Sequence, residues 1–160
     1  MPDYHRAQRE AEKLVSSFGL TRPPVDPEAI AEALGLSVVY AHFSPGISDE
    51  VSGYLDVAGN RIVVNKAIPS NRKTYTIAHE LGHYVLHKEY AASNRYEVLL
   101  RKNQYENAKP PEEQEADAFA ANLLVPIKLL REYKSFASGS ELARLFGVSA
   151  DVIMHRLKRA

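Results

Sequence analysis

Residues 74–87 read TYTIAHELGHYVLH, placing His79 and His83 four apart with Glu80 directly after the first. On a helix, side chains four apart point the same way and lie about 6 Å from each other, so both imidazoles can reach one ion. Glu80 sits about 100° further round the helix, off the line of the two histidines. There it can stand beside a water held by the ion without being a ligand itself. Short patterns of this kind also arise by chance, as a helix carrying two incidental surface histidines.

A third ligand separates the two readings. The chain has no cysteine, so a transition metal must be held by histidine and carboxylate. The segment PPEEQEADAFAANLLVP (110–126) offers acids on a second helix with an apolar stripe at Ala116, Phe119, Ala120 and Leu123. Glu115 adjoins that stripe, and burying it would bring the carboxylate to the core boundary. Glu112 and Glu113 belong to the first turn, where acids are favoured by the helix dipole alone. Asp117 is either an outer partner of a ligating histidine or a solvated acid. His87 would be about 12 Å from His79 along a continued helix, too far for three histidines to share one ion. It reads as a helix-end residue.

The elements that must position these groups are legible along the chain. REAEKLVSSFG has apolar positions at Ala11, Leu14, Val15 and Phe18, a helical spacing stopped by Gly19. Asp26 and Pro27 begin a second helix that Gly35 ends. SVVYAHF, EVSGYLDV and NRIVVN are β-branched and aromatic, with a hairpin turn at 58–60, so a small, mainly antiparallel sheet is expected. Two long helices follow, over about 70–86 and 112–124. Residues 88–110 are the least regular stretch. The tail SGSELARLFGVSADVIMHRLKRA predicts two short helices around Gly147. Its apolar set Leu142, Leu145, Phe146, Val148, Ile153 and Leu157 is too large to stay exposed, so 139–160 should pack on the rest, giving one domain over 1–160.

With 160 residues, 45% hydrophobic and 25% charged, and with 20 basic and 20 acidic side chains, the chain reads as one globular unit whose net charge attracts neither nucleic acid nor an anionic membrane. The charged segment before Leu14 lacks the apolar core of a secretory signal, and no membrane-spanning run is present, so the cytoplasm is the expected location.

TYTIAHELGHYVLH and the later EEQEADAFAANLLVP, with VDPEAIAEALGLSVVY and GNRIVVNKAIPSNRKTYTIAHE before them, together resemble the ImmA/IrrE family of metallo-endopeptidases over residues 8–160. The family's usual phenylalanine before the motif is Tyr75 here. The resemblance implies an α+β, zincin-like fold, with the active-site helix beneath an edge strand. It implies zinc ligands at His79 and His83, a general base at Glu80 and an acidic ligand at Glu115. Manganese or iron would suit the same donor types. It also implies a protein substrate, since members commonly cut or inactivate a helix-turn-helix repressor in stress response or mobile-element control. A second stabiliser of the oxyanion is expected, with Tyr75, Tyr84 and His155 as candidates by chemistry. Substrate could add as a strand beside SGYLDV or RIVVN.

A rival reading treats ELARLFGVSADVIMHRL as a helix-turn-helix and the chain as a DNA- or repressor-binding module with a structural metal. Arg156, Lys158 and Arg159 favour it. Against it, the second tail helix begins with Ala150 and Asp151, without the Arg, Lys, Asn or Gln that normally reads bases. Direct nucleic-acid binding is therefore not expected.

Overall fold

A computed structural model describes residues 1–46, 51–97 and 109–160. Helix α1 spans Tyr4–Ser17, opened by Asp3, whose side chain accepts from the Arg6 N–H. Ala7 and Ala11 are its buried positions, whereas Phe18 sits at the C-cap and stays partly exposed. Helix α2 (Pro27–Ala33) starts as the sequence predicts, with Asp26 accepting from the N–H groups of Glu28 and Ala29 and with Pro27 in the first turn.

Three strands follow: β1 (Ser37–Ala41), β2 (Gly53–Asp56) and β3 (Arg61–Asn65). β2 and β3 form the expected antiparallel hairpin, in which Asn60 takes a left-handed φ of 49°. The sheet is nonetheless mixed. Its order is β1-β3-β2, and β1 runs parallel to β3, from Ser37 opposite Arg61 to Ala41 opposite Asn65. Turn signals report only the hairpin, because the parallel pairing joins strands that are not consecutive. β3 is thus central and paired on both sides, so RIVVN offers no free edge; among the described residues β2 pairs on one side only. The beginning of EVSGYLDV, at Glu50, lies outside the described residues.

Helix α3 (Ser70–Leu86) crosses beneath the sheet, contacting β2 and β3, and packs on α5 (Pro111–Leu124). Gly82 permits this close approach: a Cβ there would meet Phe119 Cδ1 at 3.0 Å and Phe119 Cβ and Cγ at 3.2 Å. α1 packs on α5 as well. Between α3 and α5 come α4 (Lys88–Ala91) and a helical turn over 94–97; the rest of this irregular stretch, 98–108, lies outside the described residues.

Helices α6 (Ile127–Tyr133), α7 (Gly139–Phe146) and α8 (Ala150–Leu157) complete the chain. A capping box between Ser138 and Glu141 starts α7, and Gly147 ends it at φ 69°, a left-handed conformation that suits glycine. Leu142, Phe146, Val148 and Ile153 are buried in the same core cluster as Leu81 of α3 and Phe119 of α5, so the tail packs on the body of the fold. Leu145 and Leu157 are only partly buried against that cluster. Arg156 is buried too, its Nε donating to the Val125 carbonyl at 3.0 Å, where α5 ends. It is a structural cap and not an exposed cation. Among the described residues no helix is long and apolar enough to cross a membrane.

Candidate metal centre

α3 carries its motif residues on the face turned to α5. His83 is fully buried, Glu80 is buried, and His79 is nearly so. Donor atoms of His79, Glu80 and His83 lie within 4.8 Å of one another, a cluster able to hold a divalent metal ion.

The acid that meets both imidazoles comes from α5 and is Glu113. Its Oε1 lies 3.1 Å from His79 Nε2 and its Oε2 lies 2.9 Å from His83 Nε2. Glu115, expected in that place, is turned away: its Oε1 accepts from His87 Nε2 at 2.7 Å and its Oε2 from the Asp3 N–H at 2.7 Å. The helical register explains the difference. Both acids are buried, but two residues apart they lie about 200° from each other round the helix, so Glu113 meets His79 and His83 whereas Glu115 meets His87 and the start of α1.

His83 Nε2 supplies the test of fit. It is buried and makes no hydrogen bond among the described residues, although the Glu113 carboxylate is only 2.9 Å away. A buried ring nitrogen left without a hydrogen bond beside a carboxylate is a position that a bound cation would satisfy. Two imidazole nitrogens and a carboxylate brought together in this way match the donor set of a catalytic zinc site.

Each ligand candidate is backed by further groups. Asp117 Oδ1 accepts from His79 Nδ1 at 2.9 Å and from the Tyr75 hydroxyl at 2.9 Å, and its other oxygen pairs with Lys109 Nζ. Asp117 is thus hydrogen-bonded to His79 and is not a solvated acid. Tyr90 donates to Glu113 Oε2 at 2.7 Å. Glu112 lies outside the group, paired with Arg95. Tyr84 is apart, with Lys88 Nζ 4.2 Å above its ring, and His155 is exposed on α8. Of the three candidates for an oxyanion stabiliser, only Tyr75 adjoins the site, and its hydroxyl is engaged by Asp117.

The electrostatics follow from burial and pairing. Burial alone would lower the His79 pKa, but hydrogen bonds to Asp117 and Glu113 outweigh it and raise the value to about 10 in the metal-free chain. Burial would raise Asp117 and Glu113, yet their histidine partners hold Asp117 at about 2 and Glu113 well below the usual carboxylate range. Burial raises the Glu80 pKa, against the opposing pull of His83 and His79. That is the direction a general base needs if it is to accept a proton near neutrality.

Sequence reasoning missed Glu113 and two tyrosines. Tyr96 is buried, donates to Glu80 Oε1 at 2.5 Å and accepts from the Leu55 N–H at 2.7 Å. Leu55 lies in β2, the last strand of the sheet among the described residues, and its N–H is directed to Tyr96. A cavity of about 780 Å³ lies between β2 and residues 91–97, with Phe43, Val51, Tyr54, Val57 and Tyr96 in its wall.

This is the architecture of a zincin-like peptidase domain: a small sheet over a helix bearing His-Glu-x-x-His, with an acid delivered from the next long helix. The model of a peptidase family described as the IrrE N-terminal-like domain matches residues 31–158, and the chain belongs to that family. No curated protein matches it. Among solved structures, a Mycobacterium tuberculosis transcriptional regulator superposes with a TM-score of 0.66 at 18% identity, over 96% of this chain and 46% of the regulator. That likeness concerns the fold, and the present chain spans less than half of the regulator's length.

Proposed function

We propose that the chain is a zinc-dependent endopeptidase whose substrate is a helix-turn-helix transcriptional repressor, and that its cleavage relieves repression in the cytoplasm. The observation that carries this reading is the convergence of His79 Nε2, His83 Nε2 and the Glu113 carboxylate beside Glu80. In this reading Glu113, rather than Glu115, is the third ligand. Zinc held there would supply Lewis-acid activation of water and of the scissile carbonyl.

The remaining work falls to side chains of this protein. Glu80 takes a proton from the attacking water and returns it to the leaving amine; a buried carboxylate with a raised pKa suits both transfers. Asp117 holds the His79 ring through Nδ1, leaving Nε2 towards Glu113. The substrate main chain pairs along the outer edge of β2, where the Leu55 N–H now meets the Tyr96 hydroxyl, and an apolar side chain enters the adjoining cavity. A repressor as substrate is supported by the ImmA/IrrE resemblance and by the fold shared with a Mycobacterium tuberculosis transcriptional regulator.

The test is incubation of the purified chain with the repressor encoded nearest its gene, with and without chelator, followed by intact-mass measurement and metal analysis. Two fragments whose masses sum to that of the repressor plus one water, formed only without chelator and with zinc bound, are expected. An intact repressor in the presence of one bound zinc per chain would overturn the proposal.

A further inference from the structure

His87 and Glu115 are left without a role by the metal centre, yet both are buried and they touch each other. They lie on a line of hydrogen bonds that begins at His83. His83 Nδ1 is 3.1 Å from His87 Nδ1, His87 Nε2 is 2.7 Å from Glu115 Oε1, and Glu115 Oε2 accepts from the Asp3 N–H at 2.7 Å. The local fold aims these groups. His87 ends α3, and its backbone leaves the helix at φ −139° while its N–H still donates to the His83 carbonyl at 2.7 Å. The two rings stand 5.3 Å apart.

Each contact in the line requires one donor and one acceptor, so the proton positions are interdependent. Binding a metal through His83 Nε2 leaves the ring proton on Nδ1, which then donates to His87 Nδ1. His87 Nδ1 is then the acceptor, so the His87 proton sits on Nε2 and is donated to Glu115 Oε1. We infer that His87 and Glu115 are positioning residues for His83: they hold its ring as the Nδ1–H tautomer with Nε2 free for a metal, and they tie it to the amino end of α1. His79 has a carboxylate on its own Nδ1, from Asp117. His83 has its carboxylate one imidazole further away.

This inference rests on the zinc-site reading, and the test separates the two. In zinc-loaded protein with ¹⁵N-labelled imidazoles, long-range ¹H–¹⁵N spectra should show His87 protonated at Nε2, with its Nδ1 as the acceptor. Zinc titration against a competing chelator should then show His87→Phe binding about 10–100-fold more weakly, the usual cost of losing such a partner. His87→Asn, whose amide oxygen sits near the former Nδ1 and can accept from His83, should recover most of the affinity. Glu115→Gln should bind zinc more tightly than Glu115→Ala, since its one acceptor oxygen can still serve His87 Nε2, and Glu115→Ala should resemble His87→Phe. His87 protonated at Nδ1 in the zinc-loaded protein overturns the inference. So does wild-type zinc affinity in His87→Phe, or an Asn variant as weak as the Phe variant. Should His87→Phe not fold, the wild-type spectra and the Asn and Glu115 variants decide. Wild-type protein that binds no zinc yet shows His87 protonated at Nε2 would refute the zinc-site reading alone.

Discussion

Gly82→Ala tests whether the spacing of α3 and α5 sets the metal centre. The added Cβ would stand 3.0 Å from Phe119 Cδ1 and 3.2 Å from Phe119 Cβ and Cγ. Rotating the phenyl ring cannot relieve the contact with Cβ, which is fixed to the α5 backbone, and Phe119 is completely buried. The helices must therefore part by a few tenths of an ångström. Overpacking of this kind costs about 1–3 kcal/mol. Replacing a helical glycine returns about 1 kcal/mol of backbone entropy. The net loss is about 0–2 kcal/mol, a fall in Tm of up to about 8 °C for a chain of this length. Metal affinity should suffer more, because His79 and His83 ride on α3 and Glu113 on α5, and metal sites tolerate deviations of only about 0.2 Å. The assay is calorimetry of the metal-free protein together with zinc titration against a chelator. Gly139→Ala is the control, since a Cβ there meets nothing within 4 Å among the described residues. Zinc affinity in Gly82→Ala equal to that of the control would refute the reasoning, whatever the change in Tm.

Four further outcomes are expected. Glu80→Gln should retain one zinc per chain while repressor cleavage falls by several orders of magnitude; loss of metal on the same sample would make Glu80 a ligand instead of a base. Glu113→Ala should abolish tight zinc binding and Glu112→Ala should leave it unchanged, as read by chelator competition; the reverse order would displace Glu113 from the site. Phe146→Asp should destabilise the protein by about 4 kcal/mol or more and Arg156→Gln by about 1–3 kcal/mol, whereas Lys158→Gln and Arg159→Gln should stay within about 0.5 kcal/mol in urea unfolding. In metal-free protein the His79 pKa is raised from 6.5 to about 10, so its contribution to stability is complete below pH 6.5 and is lost as pH rises through 10. Asp117, lowered from 3.8 to about 2, contributes above pH 3.8 and loses that contribution as pH falls through 2. Tm of the chelated protein should therefore decline from pH 7 to 10, and a flat profile there would contradict the His79 pairing.

The fold was legible where its signals are local. Asp26 and Pro27 begin α2 and Gly147 ends α7, because caps and left-handed turns are properties of a few consecutive residues. The β2–β3 hairpin is of the same kind. The parallel partnership of β1 with β3 is not, since nothing between Ala41 and Arg61 encodes which side of β3 the first strand will join. Arg156 shows a related limit. At the end of a short helix, a basic side chain has the same local sequence whether it faces solvent or, as here, caps the Val125 carbonyl of another helix.

The metal centre divides along the same line. His79, Glu80 and His83 belong to one helix, and their i, i+4 geometry follows from the chain alone. The third acid depends on how α5 is turned towards α3. The phase of α5 did not choose between the acids, since Glu113 and Glu115 are both buried, and the dipole of the first turn is also a sufficient reason for an acid at Glu113. Two causes for one residue leave its role open until packing selects between them. Packing does so through Phe119, which seats against Gly82 and fixes the rotation of α5. With that rotation set, Glu113 meets the two imidazoles and Glu115, two residues on, is carried to His87 and the amino end of α1. His87 could not be read as a partner from its spacing alone. A continued helix would place it a full turn beyond His83, and it reaches back only because the backbone leaves the helix at that residue. The sequence motif and its support are therefore separable. Ligands on α3 are set by local periodicity, whereas the carboxylates that complete and orient them depend on one close contact between two helices.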